Sequence, residues 1–106
     1  MRRALALLIL TIIFCNESTY AQDSIQARQG RGFAQRICAS CHGIVPGAPS
    51  PVAGAPNFDA IAATSGMSPL ALRVALDTPH HSMPNLMLSP TELSDVTAYI
   101  MSLQAK

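Results

Sequence analysis

The chain has 106 residues, 49% of them hydrophobic and 12% charged, with a net charge of +1. That length allows one small domain, the apolar content excludes a disordered tail, and the near-neutral balance excludes a basic nucleic-acid surface. Only 3 Phe and 2 Tyr are present, and no Trp, so the core is short of large side chains; domains of this size often need a staple, a metal or a cofactor.

The chain opens with Met1-Arg2-Arg3, followed by an apolar run from Ala4 to Phe14 broken only by Thr11. Thr19-Tyr20-Ala21 then offers a small-x-small cleavage site. Basic start, apolar middle and small-residue end are the three parts of a secretory signal. The apolar run is too short to cross a hydrocarbon core of ~30 Å, so stable membrane insertion is not expected. Cys15 as a lipoprotein cysteine is disfavoured by the bulky Phe14 before it. The expectation is a cleaved signal over residues 1–21, a single mature domain over residues 22–106, and a periplasmic location. The mature part keeps Arg28, Arg31, Arg36, Arg73 and Lys106 against Asp23, Asp59, Asp77, Glu92 and Asp95. This balance leaves no basis for a nucleic-acid partner. Its cysteines are the pair Cys38 and Cys41.

Residues 24–41 lack Pro and predict a first helix, with Ile25, Phe33, Ile37 and Cys41 on one stripe. Gly30 and Gly32 weaken its intrinsic helicity, which is tolerable where another helix must come close. From Gly43 to Pro56 the chain is rich in Gly, Pro, Ala and Ser and predicts a compact loop. A short helix is expected over Phe58 to Ala63. Ser68-Pro69 starts another, running to about Asp77 before Thr78-Pro79. Residues 79–88 read as irregular. Ser89-Pro90-Thr91-Glu92 starts the last helix with a capping box, and Leu93, Val96, Ile100 and Leu103 give it an amphipathic stripe. No stretch alternates with period two, so the fold class is all-α with four helices.

Cys38-Ala39-Ser40-Cys41-His42 is the pattern of covalent haem attachment. Each thiol can add to one haem vinyl group, and the adjacent imidazole then lies beneath the iron as proximal ligand. Three other readings compete. A thioredoxin-like redox pair expects a βαβ context. Structural zinc expects four ligands, and the adjacent His80 and His81 lack the usual spacing. A plain disulfide suits an exported protein but leaves His42 without a role. If His42 is proximal, the candidates for the other axial side are Met67, Met83, Met87, Met101, His80 and His81.

Over residues 28–104 the chain resembles the small class I c-type cytochromes. The likeness is carried by Cys38-x-x-Cys41-His42, by Gly30 eight positions before Cys38, by Ala55-Pro56-Asn57-Phe58, by Met83-Pro84, and by Asp95-Val96-Thr97-Ala98-Tyr99-Ile100. It departs from the family in having no Trp near the haem propionates and a short, Pro-rich first loop. The resemblance implies a cytochrome c-like bundle of about four short helices around one covalent haem c with its iron. It further implies thioethers at Cys38 and Cys41, His42 as proximal ligand, and Met83 as distal ligand. The Pro56 carbonyl is then the acceptor for the second ring nitrogen of His42, with Pro46 the fallback. A His/Met haem suits electron transfer, so the expectation is a carrier, not an enzyme. It would be a monomer passing single electrons between redox proteins such as a periplasmic dehydrogenase or oxidase. Lys106 is the only lysine of the mature part, so docking through an apolar rim near Pro84, Leu86 and Leu88 is expected. The alternatives are a haem subunit of a periplasmic dehydrogenase complex, or a gas-binding sensor in which Met83 detaches.

Overall fold

A computed structural model describes residues 23–80 and 82–105 of the chain. The expected signal over residues 1–21, and His81 and Lys106, lie outside the described residues. Four helices and no strand occur among those described: α1 over residues 23–37, α2 (Phe58–Ala62), α3 (Pro69–Asp77) and α4 (Pro90–Ser102). The all-α expectation therefore holds.

Three of the four helices start where side-chain chemistry requires. Asn57 caps α2 by accepting from the Ala60 amide at 2.8 Å. Ser68 caps α3 by accepting from Ala71 at 3.1 Å, with Pro69 at its first position. At α4 the box is reciprocal: the Glu92 amide donates to Ser89 Oγ at 3.3 Å, and the Ser89 amide donates to the Glu92 carboxylate at 2.8 Å. The backbone and side-chain hydrogen bonds from Ser89 hold the Glu92 carboxyl below its ordinary range.

The first helix differs from expectation at its end. Regular α-helix stops at residue 37 rather than 41. The Cys38 and Ala39 amides both donate to the Ala34 carbonyl, at 2.8 and 2.9 Å, and the chain then tightens into turns. The stripe also lies differently. Ile25 is exposed, Phe33 is buried, and Ile37 and Cys41 line a cavity, whereas Gly30 and Ala34 complete the buried face. Small residues at this face matter because α4 crosses against it. A Cβ on Gly30 would lie 1.9 Å from the Asp95 carbonyl oxygen and 2.9 Å from Tyr99 Cβ. Backbone contact of this kind admits only glycine.

Helix α4 is the spine of the core. It packs on α2 and α3 as well as α1, and it buries Leu93, Val96, Tyr99 and Ile100. Phe33, Ala34, Ile44, Phe58, Ala62 and Leu72 complete the cluster around it. Full burial of one such large side chain stabilises by about 1.5–3 kcal/mol, but only Ile100 and Val96 are large and fully enclosed. Beyond Ser102, Gln104 Nε2 donates to the carbonyls of Ala62 and Met67, at 3.2 and 3.3 Å. This ties the α2–α3 connection to the end of α4.

Gly30→Ala is expected to lower the stability of the haem-loaded protein by about 1–3 kcal/mol, because backbone must shift to admit the methyl group. Gly32 meets only the Arg36 guanidinium, at 3.7 Å, so Gly32→Ala should be neutral or stabilising by up to ~1 kcal/mol. Urea midpoints of the two variants check both; equal loss in both would refute the close-contact argument.

Candidate functional site

The turns after α1 place three reactive side chains side by side. The Cys41 and His42 amides both donate to the Cys38 carbonyl, at 3.1 and 2.9 Å. This winds the five-residue motif into a compact knot. The two thiols are free and not joined to each other. Cys38, Ser40, Cys41 and His42 all line one cavity of about 460 Å³, a size within the usual range for bound cofactors, roughly 300–1,000 Å³. Burial pushes the Cys38 thiol above its ordinary pKa.

The loop over residues 43–56 is folded tightly enough to return to the histidine. Gly43 donates its amide to Ser50 Oγ at 3.0 Å, and its carbonyl accepts from the Phe58 amide at 2.9 Å. A Cβ on Gly43 would lie 2.2 Å from the Ala48 carbonyl oxygen. The Val52 amide reaches the Cys41 carbonyl at 3.3 Å, and the Gly47 amide donates to the Asp59 carboxylate at 2.5 Å. Together these bonds bring the Pro56 carbonyl to 2.6 Å from His42 Nδ1. A proline carbonyl only accepts, so Nδ1 is the donor, and Nε2 is the ring nitrogen left to face a ligand. Phe58 stands 5.9 Å from the imidazole, centre to centre, and Tyr99 stands 6.2 Å beyond it.

The rest of the cavity wall is apolar. Phe33, Ile61, Leu72, Leu76, Val96 and Ile100 line it from the helices, and Leu86 and Leu88 from the segment before α4. No Asp, Glu, Lys or Arg is among its described lining residues. The methionines sort clearly. Met83 lines the cavity, and so does Met67 from the turn before α3. Met87 is 90% exposed and does not line it, and Met101 packs elsewhere on the core. His80 lines the cavity as well; His81 lies outside the described residues. Met67 lies in a turn, its amide donating to the Thr64 carbonyl at 3.0 Å, and Gln104 Nε2 donates to the Met67 carbonyl at 3.3 Å.

This donor set discriminates among the candidate cofactors. No cluster of three or more His, Cys, Asp or Glu converges among the described residues, which disfavours zinc held by protein ligands alone. Two thiols, an imidazole with a free nitrogen and a thioether share one large apolar cavity. These are the groups that haem c requires: vinyl acceptors for the thiols, nitrogen and sulfur for the iron, and an apolar shell for the ring.

Residues 25–100 match the family model described as cytochrome c oxidase, cbb3-type, subunit III. The chain belongs to this family of small monohaem c-type cytochromes, in which haem c is the cofactor and electron transfer the chemistry. It is 37% identical over 97 residues to cytochrome c-552 of Bradyrhizobium diazoefficiens, a match covering 92% of this chain and 90% of that relative. No solved structure matches significantly.

The Tyr99 hydroxyl donates to the Ile44 carbonyl at 2.7 Å, joining α4 to the chain just after the motif. Burial, ahead of the opposing charge of Arg31 and the reinforcing charge of Asp59, raises the phenol above its ordinary range. A phenol whose folded pKa is raised favours folding fully below the unfolded pKa, and that stability is lost as pH rises through the folded value. Tyr99→Phe is therefore expected to cost about 1 kcal/mol at neutral pH. It should also flatten the loss of stability above about pH 10. Denaturation midpoints from pH 7 to 11 test this; parallel curves for the two proteins would refute it.

Proposed function

We propose that this chain is a periplasmic one-electron carrier whose haem c is attached through Cys38 and Cys41, with His42 and Met83 as axial ligands. The mature domain is residues 22–106, residues 1–21 being a cleaved export signal. The observation that carries the reading is the shared cavity: His42, with Nε2 free, and Met83 border the same apolar space beside the two thiols. Among the described residues no helix is long and apolar enough to cross a membrane.

Bound there, haem c supplies the redox couple, and a thioether on the iron raises its reduction potential. The chain's own residues do the rest. The Pro56 carbonyl fixes the ring orientation and tautomer of His42 and increases the basicity of Nε2. The apolar wall keeps water and charge away, which favours the less charged reduced state. Held by both His42 and Met83, the iron would offer no open position to a substrate, which supports a carrier role and not an enzymatic one. Electrons enter and leave at the rim formed by Val52 and Pro84, both exposed, together with Leu86. That rim is apolar, and the expected partners are redox proteins such as a dehydrogenase or an oxidase, met by a monomer. A second reading is favoured by the family's description as an oxidase subunit: the chain serves as the haem subunit of a larger complex. Co-purification with a larger enzyme separates the two.

The oxidised protein should show the long-wavelength sulfur-to-iron charge-transfer band, and the reduced protein should not bind carbon monoxide at neutral pH. Met83→Ala should retain covalent haem and lose the band. A band that survives in Met83→Ala would assign the thioether to Met67 instead. Ready carbon monoxide binding by the unaltered protein would favour a gas-binding role.

Docking through an apolar rim predicts weak dependence of the electron-transfer rate on ionic strength, since long-range steering is what salt screens. Stopped-flow rates from low to high salt should stay within a factor of about 3. A steep fall would contradict apolar docking.

A further inference from the structure

Two histidines border the cavity, and their rings are prepared alike. His42 Nδ1 donates to the Pro56 carbonyl at 2.6 Å, and His80 Nδ1 donates to the Thr78 carbonyl at 2.9 Å. Each acceptor is a backbone carbonyl, so in each ring Nδ1 is the donor and Nε2 is the nitrogen this bond leaves unengaged. A second nitrogen tied to a backbone acceptor is the usual state of a metal-binding histidine. One such ring is accounted for by the motif. The carrier role as described makes no use of the other.

The backbone sets His80 beside the methionine that borders the same cavity. The Met83 amide donates to the His80 carbonyl at 3.4 Å, so the two residues are the ends of one tight turn. Ser82 has φ +68°, in the left-handed region that favours glycine. A serine held in this region stores backbone strain of the kind found at ligand clamps and switches. The turn thus brings together a thioether and an imidazole that border one cavity, with a strained serine between them.

We infer that His80 is a reserve distal ligand that takes the sixth coordination position when Met83 leaves it. The inference rests on the reading of Met83 as resident ligand. In the exchange the Met83 thioether would leave the iron and His80 Nε2 would take its place; any proton on Nε2 would pass to solvent, and no electron would change hands. The exchange keeps the site closed to small gases and lowers the reduction potential, because imidazole replaces a thioether.

The test uses haem-loaded variants, with covalent haem content measured in each so that a change in ligand is separated from a failure to fold. Oxidised Met83→Ala should remain low-spin by electron paramagnetic resonance, with two-imidazole ligation and a lower reduction potential than the unaltered protein. Met83→Ala with His80→Ala should become high-spin and, once reduced, bind carbon monoxide. Met83→Ala with His81→Ala should stay low-spin. A high-spin Met83→Ala, or one that keeps the sulfur-to-iron band through another methionine, overturns the reserve role. So does a loss of low-spin character that follows His81 rather than His80. If the unaltered protein lacks the sulfur-to-iron band, the assignment of Met83 fails and the inference falls with it.

Discussion

The hydrogen bond from His42 Nδ1 to the Pro56 carbonyl is the constraint around which the site is organised. A ligand histidine must present one nitrogen to the metal with the ring at a fixed angle, and the bond at the other nitrogen supplies that angle. Fourteen positions of chain separate the partners, and almost every bond in that stretch serves to bring them together. Gly43 lets the loop backbone close on itself, Ser50 and Asp59 take its free amides, and Asn57 begins α2 at the residue after Pro56. The loop is rich in proline for the same reason. A chain with few accessible conformations loses less entropy when it is held in one of them.

The same constraint joins the site to the core. Phe58 starts α2 immediately after the Pro56–Asn57 pair and packs between His42 and Tyr99. Tyr99 in turn reaches back to Ile44. The imidazole is thus supported by one phenyl ring, one phenol and the backbone of α4, which itself leans on Gly30. Three of the chain's few aromatic rings, Phe33, Phe58 and Tyr99, lie in this buried cluster. The scarcity of large side chains is a property of a core that shares its space with a large apolar group, and the cavity wall is that group's half of the packing.

Much of this was legible in the sequence because the informative signals are local. Capping residues at 68 and 89, the five-residue motif and the period of α4 act within a few positions, and the helices they specify occur within one residue of expectation. The glycine at position 30 was legible as a close approach, and the geometry puts Asp95 and Tyr99 against it. The α1 stripe was less legible. Hydrophobicity placed Phe33, Ile37 and Cys41 on the cavity side, but it also favoured Ile25, which is exposed, and it did not mark Gly30 and Ala34, which steric fit to α4 selects. The place of Met67 on the cavity wall was also hidden, because it depends on Gln104, a residue 37 positions away. The matching hydrogen bonds of His42 and His80 depend on backbone carbonyls, which no residue type announces.

The contact at Gly30 has a consequence for how the domain comes into being. The helices that meet there are the first and last described, so their closest approach joins positions some 65 residues apart. Local helices form early, but a contact between distant segments must close a long loop first, at an entropic cost that slows folding. The clasp cannot shut until α4 has been synthesised, and until then the motif lies on an open chain. For a protein that takes its haem covalently, late closure leaves the two thiols on an open chain until the first and last helices meet.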